Sequence, residues 1–283
     1  MVIQQPLTIK WLIGDWPENP LHKQAVQMLE ISVRFIRMLL PEATRVIAIS
    51  NLHNKLMKKQ VIQIASKNNC KLLFTLDHAD QLPQILRDSE RRNTWWKYIP
   101  LKANTGNNII LDNDFIIWKI PPQLQDWQCE GGLLAYGTES RNLEKPTDVN
   151  YITHNGTLAS QDWVQKYAGT VALSGALNGI GYNVSELPIP LKTIDTWKVF
   201  PEDHAWWASN FALYNGNKSI IDWKLQLPVF NTASKYVQSH ISPESYMDTF
   251  CGGHFAAHNS GECTYYTDYC HQVFDDYLTL KGF

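Results

Sequence analysis

The amino-acid sequence predicts an α/β fold, and the prediction rests on the alternation in its first third. Three apolar runs of strand length are separated by two longer stretches in which apolar residues recur at spacings of three and four. This β-α-β-α-β series predicts parallel strands joined by right-handed crossovers. Because open sheets of this kind bind ligands beyond the carboxyl ends of their strands, the functional site is expected there.

Each element of the series has a sequence signal. An amphipathic helix, closed by Pro41, follows the first strand, and a second helix lies between the other two strands. The strands are predicted over Ile9–Ile13, Val46–Ser50 and Leu72–Asp77, and the helices over Leu21–Leu40 and Leu52–Lys67. The strand ends therefore place Asp15 and Asp77 beside the expected ligand, as cofactor-binding candidates.

The alternation weakens in the second half of the chain. A polar helix and two apolar strands come before Pro121, and the segments beyond it are shorter and more widely spaced. The predicted elements are a helix at Leu82–Lys97, strands at Asn108–Leu111, Phe115–Trp118, Leu133–Tyr136 and Val171–Leu173, a small-residue turn at Ala176–Gly181, and helices from Pro201 to Leu213 and from Tyr269 to Leu280. We expect one domain over residues 1–283, with a nucleotide-binding half (1–120) and an elaborated half (121–283).

Composition excludes several classes of protein. The 283 residues carry 25 Lys and Arg against 27 Asp and Glu, and 44% are hydrophobic, including 11 Trp. These values indicate a packed globule and exclude disorder, collagen and coiled coil. The near-neutral net charge does not give the excess of positive charge that binding to a nucleic-acid backbone needs. A small-molecule partner is therefore expected.

The sequence also predicts a protein without a membrane span. No apolar stretch approaches the roughly 18 residues that a span needs, and the start of the chain lacks a signal-peptide pattern. The five Cys residues are irregularly spaced and are expected to be reduced thiols. Together these features predict a cytoplasmic location.

The most informative motif is Asp112-Asn113-Asp114, between two apolar strands. Acids two residues apart on extended backbone point to the same side, where both can bind one hard divalent cation. Such a cation binds a nucleotide diphosphate and stabilises it as a leaving group. A plain turn is the alternative, but a turn between buried strands seldom needs two acids.

With this motif after three β-α units, the sequence resembles the nucleotide-sugar-dependent glycosyltransferases of GT-A fold. The resemblance implies a Rossmann-like mixed sheet flanked by helices and does not place the chain in one family. It implies that Mn²⁺ or Mg²⁺ is bound by Asp112 and Asp114, with Asp112 and Asn113 contacting the nucleotide of a UDP- or GDP-linked donor. It further implies a metal-binding His near the C-terminus, for which the candidates are His254 and His258.

The family's order of motifs also implies an acceptor site. The small-residue segment that contains Asn178 and Gly179 is comparable to the family's acceptor loop, and Glu202-Asp203 to its acidic helix start. Asp203 or Glu202 is expected to act as general base if the enzyme inverts configuration, or to bind donor hydroxyls if it retains it. Trp206 and Trp207 are expected to stack an acceptor sugar, whereas simple N-capping is the alternative role for the acids.

Other functional classes have weaker support. Cys and His residues between Cys251 and His271 suggest a structural zinc, but the paired-ligand spacings of zinc sites are missing. Neither a dinucleotide-binding glycine fingerprint, a P-loop nor a nucleophile elbow is present. The predicted function is a metal-dependent glycosyltransferase with a hydroxyl acceptor. The alternatives are a non-catalytic carbohydrate-binding module and a nucleotidyltransferase.

Overall fold

A computed structural model describes residues 5–15, 22–88, 94–138, 172–196, 203–222, 225–230, 242–255 and 265–283. In these residues a seven-stranded sheet forms the centre of the fold, and a three-stranded sheet lies beside it. The strands are β1 (Leu7–Gly14), β2 (Thr44–Ser50), β3 (Lys71–Phe74), β4 (Asn107–Asp112), β5 (Phe115–Ile117), β6 (Leu133–Thr138), β7 (Ala172–Ile180), β8 (Lys218–Asp222), β9 (Val229–Phe230) and β10 (Gly252–Phe255).

The large sheet is parallel in its first half and mixed in its second. Its strand order is β3-β2-β1-β4-β7-β6-β8, and the first four strands of this order pair in parallel. Strand β7 runs antiparallel to both β4 and β6, and β8 is parallel to β6. The predicted α/β class and mixed sheet are confirmed, and the carboxyl ends of β1 to β4 share one edge.

Helices cover the sheets and connect their strands. The helices are α1 (Lys23–Leu39), α2 (Lys55–Lys67), α3 (Gln84–Asp88), α4 (Pro122–Glu130), α5 (Asp203–Leu213), α6 (Pro243–Thr249) and α7 (Asp268–Leu280). Side chains of Asn54 and Thr267 accept hydrogen bonds from the first turns of α2 and α7, which fixes where these helices begin. In the described part of the chain, no helix combines the length and apolar character needed to cross a bilayer.

Apolar side chains form a core on each face of the large sheet. One core packs α1 and α2 against β1 and β2, with Trp11 at its centre. The other packs Trp95, Tyr98 and Trp206 against the opposite face. A third cluster, containing Phe35 and Phe274, joins α1 and α7 to β5 of the small sheet. The sheets therefore hold the ends of β4 and β5 between rigid layers.

Three of the predicted elements differ from the structure. The strand predicted at Leu72–Asp77 ends at Phe74, where a 3-10 helix over Thr75–Gln81 begins. The predicted turn at Ala176–Gly181 is mostly strand, since β7 continues to Ile180. Its glycine is needed for packing, because a Cβ on Gly179 would lie 2.5 Å from the Cβ of Leu134. The predicted helix at Leu82–Lys97 instead contains α3, which begins after Pro83, and a separate 3-10 turn at Trp95–Tyr98. Proline fits only the first turn of a helix.

A buried lysine in β1 makes stability depend on pH. Lys10 is 3% exposed, its Nζ donates a hydrogen bond to the carbonyl of Pro100, and burial lowers its pKa from 10.5 to about 7. Between these two values the unfolded chain binds more protons than the folded one, so the free energy of unfolding rises with pH across this window. Below it, the full cost of burying the charged ammonium applies.

We expect Lys10→Met to raise the free energy of unfolding at neutral and acidic pH. Removing the buried charge stabilises the folded state, since each unit of its pKa shift is worth about 1.4 kcal/mol. The Pro100 carbonyl loses its hydrogen-bond donor, which offsets part of this gain and leaves a net gain on the order of 2 kcal/mol. Urea unfolding at several pH values measures the effect. If the free energy of unfolding of Lys10→Met still rose above neutral pH as it does in the parent, Lys10 would not be the source of this pH dependence.

Candidate metal centre

The two aspartates of the central motif lie where the chain leaves the large sheet for the small one. Asp112 is the last residue of β4, which is flanked by β1 and β7, and Asp114 directly precedes β5. Strand β4 is almost fully buried up to Leu111, and β5 is buried throughout. Buried strands on both sides therefore fix the turn and both of its carboxylates.

A histidine from the far end of the chain reaches this turn through strand pairing. Strand β10 pairs antiparallel with β5, which places His254 opposite Phe115. The backbone N–H of Phe255 donates a hydrogen bond to the carbonyl of Asp114 at 2.9 Å. As a result, His254 Nε2 lies 3.3 Å from Asp114 Oδ1.

Together, Asp112, Asp114 and His254 form a group with the chemistry of a cation site. One possible ligand atom from each residue lies within 4.8 Å of the others, and all three residues are half-buried. His254 Nδ1 is buried without a hydrogen-bond partner among the described residues. Two carboxylate oxygens and an imidazole nitrogen suit Mn²⁺, for which carboxylates are preferred ligands. The residues present therefore fit a divalent metal.

The electrostatics of His254 reflect the same arrangement. Burial by itself lowers the pKa of this imidazole, but the Asp114 carboxylate beside it outweighs burial and raises the pKa above its usual value. The carboxylates of Asp114 and Asp112 thus favour a positive charge beside them.

A buried lysine connects this group to the helix that begins at Asp203. Lys97 is 1% exposed, and its ammonium lies 3.0 Å from Asp112 Oδ1, 2.9 Å from Asp203 Oδ2 and 3.0 Å from the carbonyl oxygen of Gly175. The ammonium donates hydrogen bonds to Asp112 and to the Gly175 carbonyl, and it forms an ion pair with Asp203. Burial lowers the pKa of Lys97, but the two carboxylates outweigh it and hold the pKa above its usual value.

Lys97 is not among the residues that the sequence motifs point to, although the sequence contains a signal for it. The residue stands in the run Trp95-Trp96-Lys97-Tyr98, in which all four side chains are buried. Lysine is rarely buried without a carboxylate partner. A single cation inside an aromatic run is therefore a pointer to buried acids elsewhere in the chain.

The acidic helix start lies partly within the described residues. Asp203 is the first residue of α5 and is 3% exposed, and its pairing with Lys97 brings it to the Asp112 side chain. Glu202, the other predicted catalytic residue, and His258, the other predicted metal ligand, lie outside the described residues.

The remaining nucleotide candidates lie on the expected edge but do not join the metal group. Asp15 follows β1, and its Oδ2 accepts a hydrogen bond from the backbone N–H of His53 at 2.6 Å. Asp77 is exposed in the 3-10 turn after β3. Asn113 Nδ2 donates to the carbonyl of Ala25 at 3.4 Å, which ties the turn to α1.

The predicted acceptor residues are buried, which corrects their expected roles. Trp206 and Trp207 have no exposed surface, and the Trp206 ring packs edge-on against Tyr98 at 4.8 Å between centroids. They face the core because α5 packs directly on β7. Asn178 and Gly179 lie inside β7 and not on a loop, with Asn178 Nδ2 donating to the Tyr98 hydroxyl. None of the four presents a surface for a sugar.

Comparison with known proteins identifies the fold. No protein-family profile matches the sequence, and no curated protein matches it. Among solved structures, apo WbbM, a bifunctional glycosyltransferase, matches 98% of this chain with a TM-score of 0.59 and 13% identity. An active-site mutant of LgtC matches 97% of this chain and 95% of its own with a TM-score of 0.47 and 11% identity. Mouse xyloside xylosyltransferase 1 also matches with a TM-score of 0.47, at 8% identity, over 88% of this chain and 96% of its own.

The match to WbbM defines the class of fold. This chain spans 50% of the length of WbbM. The match, together with the mixed sheet flanked by helices, shows that this chain has the GT-A fold, as the sequence resemblance implied.

Proposed function

We propose that this protein is a metal-dependent glycosyltransferase that moves a sugar from a nucleotide-diphosphate donor to an acceptor hydroxyl. The observation that carries the proposal is the convergence of Asp112, Asp114 and His254 at the carboxyl end of β4. Open α/β sheets bind ligands at this edge. The fold matches that of a glycosyltransferase, and the three side chains supply possible ligands for a metal ion.

The metal has a defined part in this proposal. Asp112, Asp114 and His254 would hold Mn²⁺ or Mg²⁺. When bound there, the ion supplies positive charge that neutralises the donor diphosphate and favours its departure. Asp15 and Asp77, at the ends of β1 and β3, are proposed to contact the nucleotide, as is Asn113.

The buried ion pairs favour one role for Asp203. A general base needs a carboxylate that readily accepts a proton, whereas the ammonium of Lys97, at 2.9 Å, stabilises the ionised form of Asp203. An ionised carboxylate held in place is suited to accept hydrogen bonds from sugar hydroxyls. We therefore propose that Asp203 binds a hydroxyl of the donor sugar, with Lys97 holding both Asp203 and Asp112 in place. Although Asp203 is only 3% exposed, one hydrogen bond needs far less open surface than stacking a sugar on a ring.

Product analysis tests the reaction. The protein is incubated with UDP- and GDP-linked sugars, with and without Mn²⁺, and nucleoside diphosphate and sugar products are separated by chromatography. The proposal expects metal-dependent release of nucleoside diphosphate. Release of pyrophosphate from a nucleoside triphosphate and a sugar phosphate would instead indicate a nucleotidyltransferase. If calorimetry shows that the protein binds carbohydrate with an affinity that neither nucleotide nor metal changes, the protein is a non-catalytic binding module.

The histidine is tested by metal titration. We expect His254→Gln to weaken Mn²⁺ binding by at least about 100-fold, since even groups that only support a metal ligand are worth 10- to 100-fold in affinity. Calorimetry or Mn²⁺ paramagnetic resonance measures the affinity. His53→Gln, which changes an exposed histidine outside the metal group, is the control and should bind Mn²⁺ as the parent does. Equal affinity in both variants would remove His254 from the site.

A further inference from the structure

Positive charge is segregated in one segment of this nearly neutral chain. Residues 43–76 contain six Lys or Arg and no Asp or Glu. Arg45 is buried and donates to backbone carbonyls, which leaves five lysines. These belong to α2 and β3, and β3 is an edge strand of the large sheet. None of the five pairs with a carboxylate among the described residues.

Large apolar side chains are exposed on the same segment. Leu56 is 68% exposed and Leu76 58%, and Ile62 and Phe74 are also exposed. Helix α2 turns Val61, Ile64 and Ala65 toward the sheet, so its lysines and these apolar residues face outward. The nine residues that we call the α2–β3 surface are Lys55, Leu56, Lys58, Lys59, Ile62, Lys67, Lys71, Phe74 and Leu76.

Helix α2 and the end of strand β3 meet on this surface. Lys58 Nζ lies 5.4 Å from the centre of the Phe74 ring, so the side chains of α2 reach those at the end of β3. The nearest acids in the sequence, Glu42, Asp77 and Asp80, flank the segment and mark its limits.

We propose that the α2–β3 surface docks the protein on an anionic lipid bilayer. The lysines match the negative charge of lipid headgroups, to which clustered Lys and Arg contribute additively. The exposed aliphatic side chains between them suit the boundary between headgroups and acyl chains, where interfacial helices place their apolar residues. This surface is separate from the metal centre, and the proposal does not depend on the proposed reaction.

The apolar component favours lipid over nucleic acid as the occupant. Binding to a phosphate backbone is driven by charge and counterion release, and it gains little from Leu56, Ile62 or Leu76. Exposed apolar residues clustered in this way mark interaction surfaces. A bilayer accommodates the lysines and the aliphatic side chains at the same time.

The topology relates this surface to the candidate metal centre. Helix α2 begins shortly after the carboxyl end of β2, and Leu76 follows the carboxyl end of β3. Leu56 and Leu76 therefore lie toward the same edge of the sheet as Asp112 and Asp114. Docking through these two residues would bring that edge to the membrane.

Vesicle co-sedimentation tests the proposal with the full chain. Binding is measured to phosphatidylcholine vesicles and to vesicles of equal parts phosphatidylcholine and phosphatidylglycerol. We expect binding to the anionic vesicles only, weakened as salt is raised from about 0.1 M to 1 M, because the Debye length falls from about 10 Å to about 3 Å. Equal binding to both kinds of vesicle, or binding to neither, would overturn the proposal.

Matched variants locate the surface. Replacing Lys55, Lys59 and Lys67 with Gln should lower the partition coefficient roughly 100-fold. The control replaces Lys23, Lys192 and Lys281, three exposed lysines elsewhere, with Gln and should bind as the parent does. Circular dichroism checks that all variants fold. A loss of similar size in both sets would mean that net charge alone drives binding, which contradicts a defined surface.

The apolar residues are tested separately. Leu56→Ser with Ile62→Ser keeps the charge and changes two exposed side chains, and it should weaken vesicle binding at least about tenfold. The same variant is titrated with a single-stranded oligonucleotide. Unchanged vesicle binding, together with tight oligonucleotide binding, would overturn the lipid assignment and indicate a general polyanion surface.

Discussion

Asp114→Asn is expected to abolish metal-dependent sugar transfer while leaving the fold intact. The amide has the shape of the carboxylate but not its charge, so it keeps the turn before β5 and removes an anionic ligand beside His254. A metal ion stabilises the charge of a transition state by several kcal/mol, and each 1.4 kcal/mol is tenfold in rate. We expect kcat/KM to fall by at least about 10³-fold, measured as nucleoside diphosphate release with Mn²⁺.

The control for this variant is an acid outside the site. Asp126 is exposed on α4, and Asp126→Asn makes the same change of charge. It should retain parental turnover and Mn²⁺ affinity. If Asp114→Asn also kept parental turnover and Mn²⁺ affinity, the assignment of the metal to this turn would be wrong.

Lys97→Met is expected to be among the most destabilising single changes in this protein. The substitution removes the ammonium that lies within 3.0 Å of carboxylate oxygens of both Asp112 and Asp203, and Asp203 is only 3% exposed. Breaking a buried ion pair by removing one partner costs about 3–5 kcal/mol, because the other charge stays buried. Urea unfolding of the variant measures the loss.

Two further variants separate charge from packing. Lys97→Met combined with Asp203→Asn should recover part of the loss, since the buried carboxylate is neutralised. Lys102→Met removes a half-buried lysine whose Nζ donates to the carbonyls of Gly181 and Val184, and it should cost only about 1 kcal/mol. Equal losses for Lys97→Met and Lys102→Met would show that the carboxylates do not govern the effect.

Local patterns in the sequence predicted the first half of the fold well. The helical period of α1 and α2 and the apolar runs of β1 and β2 depend on neighbours close in sequence, and their predicted bounds agree with the structure to within a few residues. The second half was harder because strand β7 contains Asn178 and Gly179, residues typical of turns. Its pairing with β4 and β6, far away in sequence, outweighs that local preference.

The candidate site shows the same division. Asp112 and Asp114 were evident from the sequence because their spacing and flanking strands are local. The sequence left His254 and His258 as alternatives, and the pairing of β10 with β5 brings His254 to Asp114. Trp206 and Trp207 in α5 were predicted to stack on a sugar, but the sequence does not show which face of this mostly apolar helix is covered. The sheet covers Trp206 and Trp207.

The sequence by itself therefore determined the α/β class, the parallel first half and the paired aspartates, because these depend on residues adjacent along the chain. Only the tertiary structure decided that His254 stands beside Asp114 and that Lys97 joins Asp112 to Asp203. Those contacts join residues far apart in sequence, and they exist because two sheets and an aromatic core hold them together. Buried charges need partners at a distance of about 3 Å, and folding alone places the partners there.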